Sequence, residues 1–471
     1  MTPVSTRPGR TLAVASVAAF MTSLDTMVVT TALPTLRSDL GGSVGTLEWT
    51  MNAYYLAFAC LLITAAGLGD RFGRRRMLGL GLAVFALASA AAALAPGIGA
   101  LIAARAVQGG AAAAVLPLTL TVISEAYPAE TRGKAIGIWG ALLGAGGVLG
   151  PLVGGGLLEL VGWRAIFWVN VPIALVLAVA AGLAITETFG PRHPLDVAGL
   201  VLASTGCLGL SWGLVQSTSH GWGDAAVWMP LLAGVLVLGG FVAREHAARF
   251  PMMPTGLFAI RSFSAANGVS FCIYASLAGG VYLMSQFFQI AQHTSPIVAA
   301  LRFVPWPLPS LLVAPLVGSL ATRLGNRPFL VAGMALQTIG MVWFALVVHV
   351  STPYPVLCAP LVLSGIGIAF VFPTVSGEVV SAVPPERMGI AAGVNGSIRE
   401  LGGVLGVALV ATVFAHTGGY ASPATFTTGF VHAIWLCAVI AGLGAVSGLL
   451  AAPRVPEATP EVAGRVADRI G

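Results

Sequence analysis

Long apolar segments, separated by short polar or glycine- and proline-containing breaks, dominate the hydrophobic pattern of this 471-residue chain. Each segment has about 20 residues, the length that an α-helix needs to cross the hydrocarbon core of a bilayer. The alternating pattern of a membrane β-barrel is absent from the sequence. The pattern predicts fourteen spans, at residues 11–34, 47–67, 77–95, 98–123, 134–158, 165–185, 196–216, 226–243, 263–290, 297–320, 328–349, 355–377, 389–415 and 429–451.

The composition agrees with an integral membrane protein. Hydrophobic residues make up 57% of the chain and charged residues only 8%, whereas soluble domains carry about 25% charged residues. The five cysteines all lie in apolar segments without a CxxC pair, so we expect no disulfide and no metal site. The net charge of +6 is interpreted as topology and not as a nucleic-acid surface, because its placement follows the loops.

Basic residues fall almost entirely in alternate loops. The opposite loops hold only Arg37 and Arg164. The positive-inside rule then predicts a multi-pass protein of the cytoplasmic membrane with both termini in the cytoplasm, and we expect it to work as a monomer. The predicted cytoplasmic residues are Arg71, Arg74, Arg75, Arg76, Arg132, Lys134, Arg192, Arg244, Arg249, Arg261, Arg323, Arg327, Arg387 and the arginines of the C-terminal tail.

One loop occurs twice. GLGDRFGRR at 67–75 follows span 2, and SLATRLGNR at 319–327 follows span 10. Corresponding loops in two six-span halves are typical of transporters built from repeats. The predicted fold class is therefore an all-α polytopic membrane protein with 14 transmembrane helices. Its predicted parts are a six-helix bundle at 1–190, two inserted helices with their connections at 191–261, a second six-helix bundle at 262–452 and a cytoplasmic tail at 453–471.

Several motifs in order resemble the major facilitator superfamily, in particular its fourteen-span drug:proton antiporter branch. They are LDTMVVTTALP (24–34), LGDRFGRRR (68–76), RAVQG (105–109), GxxxGPxxGG (146–155), WRAIFWVNVP (163–172) and RELGGVLGVAL (399–409). The resemblance implies export of a substrate against an inward flow of protons. The chain departs from the family pattern at Ala66, at His293, and at Thr322, which replaces the acid in the second copy of the loop.

The glycine-rich stretch in span 5 predicts a helix that another helix approaches closely, because small residues let two backbones come together in lipid. Proline is tolerated in such a helix and bends it. We expect the partner to come from the second bundle, so that this stretch seals one side of the transporter. The residues concerned are Gly146, Gly150, Pro151, Gly154 and Gly155.

Ionisable residues inside a bilayer are costly and are functional candidates by default. Asp25 lies about 21 Å into span 1, and Arg105 lies at a similar depth in span 4. We expect these two to pair and to take part in proton coupling, and Glu400 is the best acidic candidate in the second half. The alternatives are a fixed structural ion pair for the first two and a polar helix contact for Glu400. Arg302, near the outer end of span 10, either faces the cavity or extends to the headgroups.

A set of polar and aromatic side chains at membrane depth is expected to line a substrate cavity. Any one of them has the alternative role of bonding a neighbouring helix. The candidates are Asp25, Asn52, Tyr54, Gln108, Tyr282, Gln286, Gln289, Asn395 and Glu400.

The loop after span 2 is a candidate cytoplasmic gate, formed by Asp70, Arg71, Gly73 and Arg74. Arginines alone would satisfy the positive-inside rule. Gly73 allows a tight turn, and Asp70 is suited to face a helix N-terminus of the other half, where the helix dipole favours an anion. By family analogy we expect a latch in the outward-facing state.

The sequence therefore predicts a proton-coupled antiporter that exports lipophilic or amphipathic small molecules such as drugs or antibiotics. No Walker-type loop is found, so the expected energy source is the proton motive force, and we expect no cofactor, no metal, no nucleic-acid partner and no enzymatic activity. Two alternatives stay open: a nutrient symporter of the same fold, and a membrane-embedded lipid-modifying enzyme, for which the scattered histidines give little support.

Overall fold

A computed structural model describes residues 8–190, 196–248, 251, 253–384 and 387–451, and every regular element in these ranges is a helix. Thirteen helices are long and apolar enough to cross a membrane. A further span is bent by 51° between its segments Gly45–Leu62 and Thr64–Phe72 and brings the number to fourteen. The predicted fold class is confirmed. The predicted tail at 453–471, together with Arg192 and Arg249, lies outside the described residues.

The first bundle contains six spans, the last of which is divided by a short break. Its helices are α1 (Pro8–Leu40), α2 (Val44–Phe72), α3 (Arg74–Ala93), α4 (Ile98–Ala126), α5 (Ala129–Leu160), α6 (Trp163–Trp168) and α7 (Asn170–Ala184). The most extensive pairings are α1 with α5, α2 with α4 and α3 with α4. The two short helices α6 and α7 together cover the predicted sixth span.

The two inserted helices form a hairpin beside the bundles. They are α8 (Val197–His220) and α9 (Ala225–Ala247), and their backbones meet where a Cβ atom on Gly209 would lie 3.0 Å from Gly234 Cα. Helix α8 packs against α2 of the first bundle and against one helix of the second bundle, α15 (Met388–Thr417). Ser217 Oγ donates to Thr412 Oγ1 (3.3 Å) at the second of these contacts.

The second bundle begins with a 3₁₀-helix at Thr255–Ala259 and includes a π-helical turn at Phe287–Ala291. Its other helices are α10 (Arg261–Gln286), α11 (Pro296–Phe303), α12 (Leu308–Leu324), α13 (Arg327–Val347), α14 (Tyr354–Ser381), α15 and α16 (Pro423–Leu449). Helix α16 starts earlier than predicted because Ser422 caps it by accepting a hydrogen bond from Thr425 N (3.1 Å). His293 has a φ of +51°, a conformation that favours glycine. This departure from the family pattern therefore lies in a tight connection that a glycine would fit more easily.

The repeated loop is also a structural repeat. Gly73 (φ +106°) and Gly325 (φ +84°) both adopt conformations that side chains disfavour. In the first copy Arg74 contacts Glu125 near the end of α4, and in the second copy Asn326 donates to Glu378 near the end of α14 (3.1 Å). The two halves thus use an equivalent pair of helices to hold the same loop.

The two bundles contact each other along α2 and α15, where Ser397 Oγ donates to Ala59 O (3.1 Å), and through a second set of contacts on one side. We call the side that carries the α2–α3 loop, with Arg71 and Arg74–Arg76, the basic face, and the opposite side the far face. At the far face Gln289 Nε2 donates to Thr31 O (2.9 Å), Arg37 lies 3.7 Å over the Tyr420 ring, and α5 contacts α11. We call these three contacts together the far-face seal. Nearer the basic face, a Cβ atom at Gly137, Gly140 or Gly144 of α5 would contact nothing within 4 Å.

Candidate functional site

Asp25 and Arg105 form a direct ion pair, with Arg105 Nη1 2.6 Å from Asp25 Oδ2. Both side chains are only 1% exposed, because α1 and α4 are packed together within the first bundle. The predicted pairing is confirmed. An ion pair this deeply buried requires further hydrogen bonds to offset its desolvation.

Those additional hydrogen bonds come from three other helices and from α4 itself. Asp25 Oδ1 accepts from Gln108 Nε2 (2.9 Å) and from Asn170 Nδ2 (2.7 Å). Gln108 Nε2 also donates to Ser89 Oγ (2.8 Å), while Arg105 donates to Gln108 Oε1 (2.6 Å) and, through Nε, to Thr50 O (3.2 Å). The carboxylate thus sits in a network that links α1, α2, α3, α4 and α7.

Tyr54 is part of the same network, since the Arg105 guanidinium lies 4.3 Å above its ring. Tyr54 is buried and its backbone carbonyl is so close to Gly109 that an added Cβ atom would lie 2.2 Å away. The expectation that Asp25, Tyr54 and Gln108 line an open cavity is therefore wrong for this conformation. They lie within the packed interior of the first bundle.

Glu400 lies where the two bundles meet, on α15. Its carboxylate accepts from Arg399 (3.0 and 3.1 Å), and the Arg399 guanidinium lies 4.9 Å over the Tyr274 ring. Gly396 and Gly403 lie one turn before and one turn after Glu400 on the same face of α15. A Cβ atom at Gly396 would lie 2.7 Å from Leu62 of α2, and one at Gly403 would lie 4.0 Å from Tyr55. Glu400 is 8% exposed. It pairs with its neighbour along the chain.

Four predicted cavity residues gather at the far-face seal instead. Asn52 Nδ2 donates to Glu48 Oε1 (2.9 Å), and Tyr420 Oη donates to Gln286 Oε1 (2.7 Å). Tyr282 shares a hydrogen bond with Tyr420, and Gln289 reaches Thr31 as described above. Asn52, Tyr282 and Gln286 are completely buried. Asn52 bonds within α2, and Tyr282 and Gln286 bond within the second bundle. Of the four, it is Gln289 whose bond joins the two bundles.

Two further candidates bond within the second bundle. Asn395 Nδ2 donates to Asn267 Oδ1 (3.0 Å) and Ser270 Oγ (2.7 Å) of α10. Arg302 donates to Gln292 Oε1 (2.6 Å) and lies 5.3 Å from the Tyr354 ring. Asn395 thus shows the alternative role of helix contact, and Arg302 is held at the far face by a loop, outside the region of the Asp25 network.

The candidate gate is tied to its own bundle. Arg74 binds Asp70 (2.7 Å) and also contacts Glu125, and Gly190 N donates to Asp70 O (3.0 Å). A Cβ atom at Gly73 would lie 2.7 Å from Glu187 Oε1. The Arg71 guanidinium lies 5.5 Å from the Phe72 ring. Within the described ranges these contacts all belong to the first bundle, so the latch to the other half stays a prediction for another conformation.

The glycines of α5 contact mainly α1. An added Cβ atom would lie 2.5 Å from Phe20 O at Gly146, 2.6 Å from Met27 Cβ at Gly150 and 3.1 Å from Val28 O at Gly154. Pro151 lies inside α5, which continues without a break to Leu160.

Only the end of the stretch reaches the second bundle. A Cβ atom at Gly155 would lie 2.8 Å from Pro296 O and 2.9 Å from Ile297 Cα of α11. The prediction that the whole stretch packs against the second bundle is therefore wrong for Gly146, Gly150 and Gly154. It holds for Gly155.

Sequence reasoning missed three acids. Glu48 is fully buried near the start of α2, where the sequence places it at the edge of an apolar segment, in the position of an ordinary interfacial residue. Glu125 and Glu187 lie at the basic-face ends of α4 and just after α7 and hold the arginines of the gate loop. Their pairing depends on helix ends that are distant in sequence, so the local pattern gave no signal for it.

A cavity of about 770 Å³ opens beside the first bundle, between α2, α4 and α8. Its lining is mostly apolar and includes Trp49 and Trp212, whose rings lie 5.9 Å apart. It does not include any of the predicted substrate-binding residues.

Comparisons with known proteins agree with this architecture. The chain is similar to the tetracenomycin C resistance and export protein of Streptomyces glaucescens, with 34% identity over 88% of this chain and 78% of that protein. It is also similar to the cephamycin export protein CmcT of Amycolatopsis lactamdurans, with 37% identity over 89% of this chain and 87% of that protein.

The fold matches that of a solved transporter, a bacterial homologue of the human lysosomal transporter Spinster in an inward-facing and occupied conformation. The TM-score is 0.70 at 15% identity, covering 95% of this chain and 98% of that one. A family model described as Major Facilitator Superfamily matches residues 15–406 and 264–469. With that match and its two six-helix bundles, the chain belongs to the Major Facilitator Superfamily.

Proposed function

We propose that this transporter exports lipophilic or amphipathic small molecules from the cytoplasm in exchange for protons. The names of two relatives describe export of antibiotics, which supports this class of substrate. The observation that carries the proposal is the Asp25–Arg105 pair, a buried carboxylate whose two oxygens accept from Arg105, Gln108 and Asn170. Such a group is costly inside a membrane protein and is typical of a proton or ion pathway.

The direction of transport is proposed from topology. Assigning the basic face to the cytoplasm, in the cytoplasmic membrane and with both termini on that side, follows the positive-inside rule. The far-face seal is then external, and the conformation described above is inward-facing. Substrate would enter from the cytoplasm between the two bundles.

Coupling in this proposal works through Arg105. A proton on Asp25 removes the negative charge that holds the guanidinium, and Arg105 is then free to change its contacts with Thr50 O and the Tyr54 ring. Both of those residues lie on α2, the helix that packs against α15 across the bundle interface. Protonation would therefore alter the helix on which the two bundles rock. The Glu400–Arg399 pair on α15 is proposed as a second proton-sensitive group.

The energy source in this proposal is the proton gradient, without a resident cofactor, and the working unit is a single chain. The Asp25–Arg105 pair lies in the first bundle and the Glu400–Arg399 pair in the second, and the helices that join the two bundles belong to one chain.

The test uses purified protein in proteoliposomes with an imposed pH gradient, and ethidium and tetracenomycin C as substrates. We expect substrate to move against the direction of proton flow, and Asp25→Asn to abolish this movement while leaving the protein monodisperse. Asp39→Asn is the matched control, because Asp39 lies on the same helix but at the far-face end, where it accepts from Trp163 Nε1 (3.1 Å). Movement of substrate with the protons would instead indicate the nutrient symporter, and gradient-driven export by Asp25→Asn would remove Asp25 from the coupling.

A further inference from the structure

Glu48 is a buried acid that the proposed coupling does not use. It lies one turn into α2 from the far face and is 0% exposed. Its Oε1 accepts from Asn52 Nδ2 (2.9 Å), but its Oε2 accepts no hydrogen bond from the described residues. Asn52 Oδ1 is likewise buried without a donor. Two neighbouring side chains thus each present a buried acceptor that lacks a hydrogen.

The charged and titratable groups nearby do not supply that hydrogen. Within the described residues no basic nitrogen lies within 4.0 Å of the Glu48 carboxylate. Arg37 of α1 lies over the Tyr420 ring, and Arg105 of α4 binds Asp25 of α1. Tyr282 of α10 lies within electrostatic reach of Glu48 and is hydrogen-bonded to Tyr420.

The other helices packed against α2 contribute no closer charge. Helix α15 brings Glu400, which lies level with Tyr55 and is paired with Arg399. Helix α8 faces α2 with Trp212 and Cys207, the latter beside Cys60, and α3 contributes Ser89 to the Asp25 network.

A proton on Glu48 Oε2 would account for both buried acceptors that lack a hydrogen. It removes a charge that would otherwise be buried without a counter-ion. It also creates an O–H donor next to an amide whose carbonyl oxygen lacks one. The closed packing around these atoms leaves both side chains without exposure, so the group is suited to a proton and not to a substrate.

We propose that Glu48 is a proton-binding site that controls the far-face seal: the seal closes over the protonated acid and opens when the acid is ionised and hydrated. The proton enters and leaves from the far side while the seal is open, so it is not itself transported. The inference therefore goes beyond the exchange proposed above, and it does not depend on Asp25.

The test measures the seal directly. Spin labels are attached to Leu160→Cys and Leu301→Cys, two exposed positions at the far-face ends of α5 and α11, and the distance between them is measured by pulsed electron paramagnetic resonance in lipid nanodiscs. Labelling is done at one pH and the samples are then titrated between about pH 5.5 and about pH 8.5. The protein carrying only its native cysteines is the labelling control.

We expect a short distance at low pH and a growing long-distance population as pH rises. One-proton linkage makes the open-to-closed ratio rise by up to about tenfold per pH unit near and above the midpoint. Glu48→Gln should stay closed throughout, and Glu48→Asp should keep a pH response. Asp39→Asn is the matched control, since Asp39 is an exposed acid at the far face that accepts from Trp163 Nε1 (3.1 Å) of its own bundle, and it should respond like the parent.

Three results would overturn the proposal. The distance in the parent does not respond to pH, or Glu48→Gln responds to pH as the parent does. The third is a parent whose seal closes at high pH when sodium chloride is added but not when choline chloride is added. If Glu48→Gln is not monodisperse, Asn52→Leu replaces it. Loss of the amide donor should move the midpoint to higher pH, because the ionised acid loses its hydrogen bond; an unmoved midpoint counts against the proposal.

Discussion

Gly155 is the position where the smallest change should have the clearest effect on conformation. An added Cβ atom would lie 2.8 Å from Pro296 O, 2.9 Å from Ile297 Cα and 3.0 Å from Pro296 C. All three are backbone atoms, which cannot turn aside as a flexible side chain can. Gly155→Ala therefore obstructs the contact between α5 and α11 in the closed seal, and it leaves the α1 side of α5 unchanged.

The magnitude follows from overpacking. Inserting a methyl group into a packed contact costs about 1–3 kcal/mol. Since this contact exists only while the far-face seal is closed, the cost should appear in the conformational equilibrium, as an increase of about 5- to 150-fold in the open-to-closed ratio. The stability of the first bundle should change little.

The assay is hydrogen–deuterium exchange of the peptides that cover the far-face ends of α5 and α11, read together with thermal unfolding. Faster exchange at both ends without a lower melting temperature is expected for Gly155→Ala. Gly150→Ala should instead lower the melting temperature without faster exchange at the far-face ends, because its methyl group would lie 2.6 Å from Met27 Cβ and 3.0 Å from Leu24 O inside the first bundle. Gly144→Ala is the control, since nothing lies within 4 Å of its Cβ position. Equal exchange in Gly155→Ala and wild type would refute the reasoning.

Two further predictions concern the buried and the exposed ion pairs. Arg105→Lys keeps the charge but loses the planar guanidinium that reaches Asp25, Gln108 and Thr50 O at once. Losing one or two of these hydrogen bonds should cost about 2–5 kcal/mol of stability, measured as a lower melting temperature. A wild-type melting temperature would show that the guanidinium is dispensable. Glu125→Gln removes one of the two ionic partners of Arg74 at a partly exposed site. We expect about 1 kcal/mol or less of lost stability but faster proteolysis of the α2–α3 loop, and an unchanged cleavage rate would show that Asp70 alone holds the arginine.

The number and placement of the helices could be predicted from the sequence because bilayer thickness fixes segment length and the charges alternate with the loops. The Asp25–Arg105 pair could also be predicted, since both residues are rare charges at matching depth. The role of each single polar residue could not be predicted from the sequence. Gln289 and Asn395 are equally polar in the sequence, but only the packing of distant helices decides that Gln289 bonds across the bundle interface and Asn395 within one bundle.

Glu48 shows the limit most clearly. Its position at the edge of an apolar segment is the same as that of an exposed interfacial acid. Its burial results from the packing of α2 against helices that are distant in sequence, α4, α8 and α15 among them. The burial of Glu48 depends on the conformation that the two bundles adopt, and the local sequence pattern does not predict it.

The inserted hairpin has a consequence for how the transporter occupies the bilayer. Helix α8 is joined to α15 by the Ser217–Thr412 hydrogen bond, whereas on its other side a wide, mostly apolar cavity separates part of it from α2 and α4. Because α8 also packs against α2, the hairpin bridges the two bundles, and when the bundles move the cavity should widen or narrow as acyl chains enter or leave it. The footprint of the protein in the membrane would then differ between its two conformations, so lateral tension and chain length of the lipids should bias the transport cycle without touching the substrate.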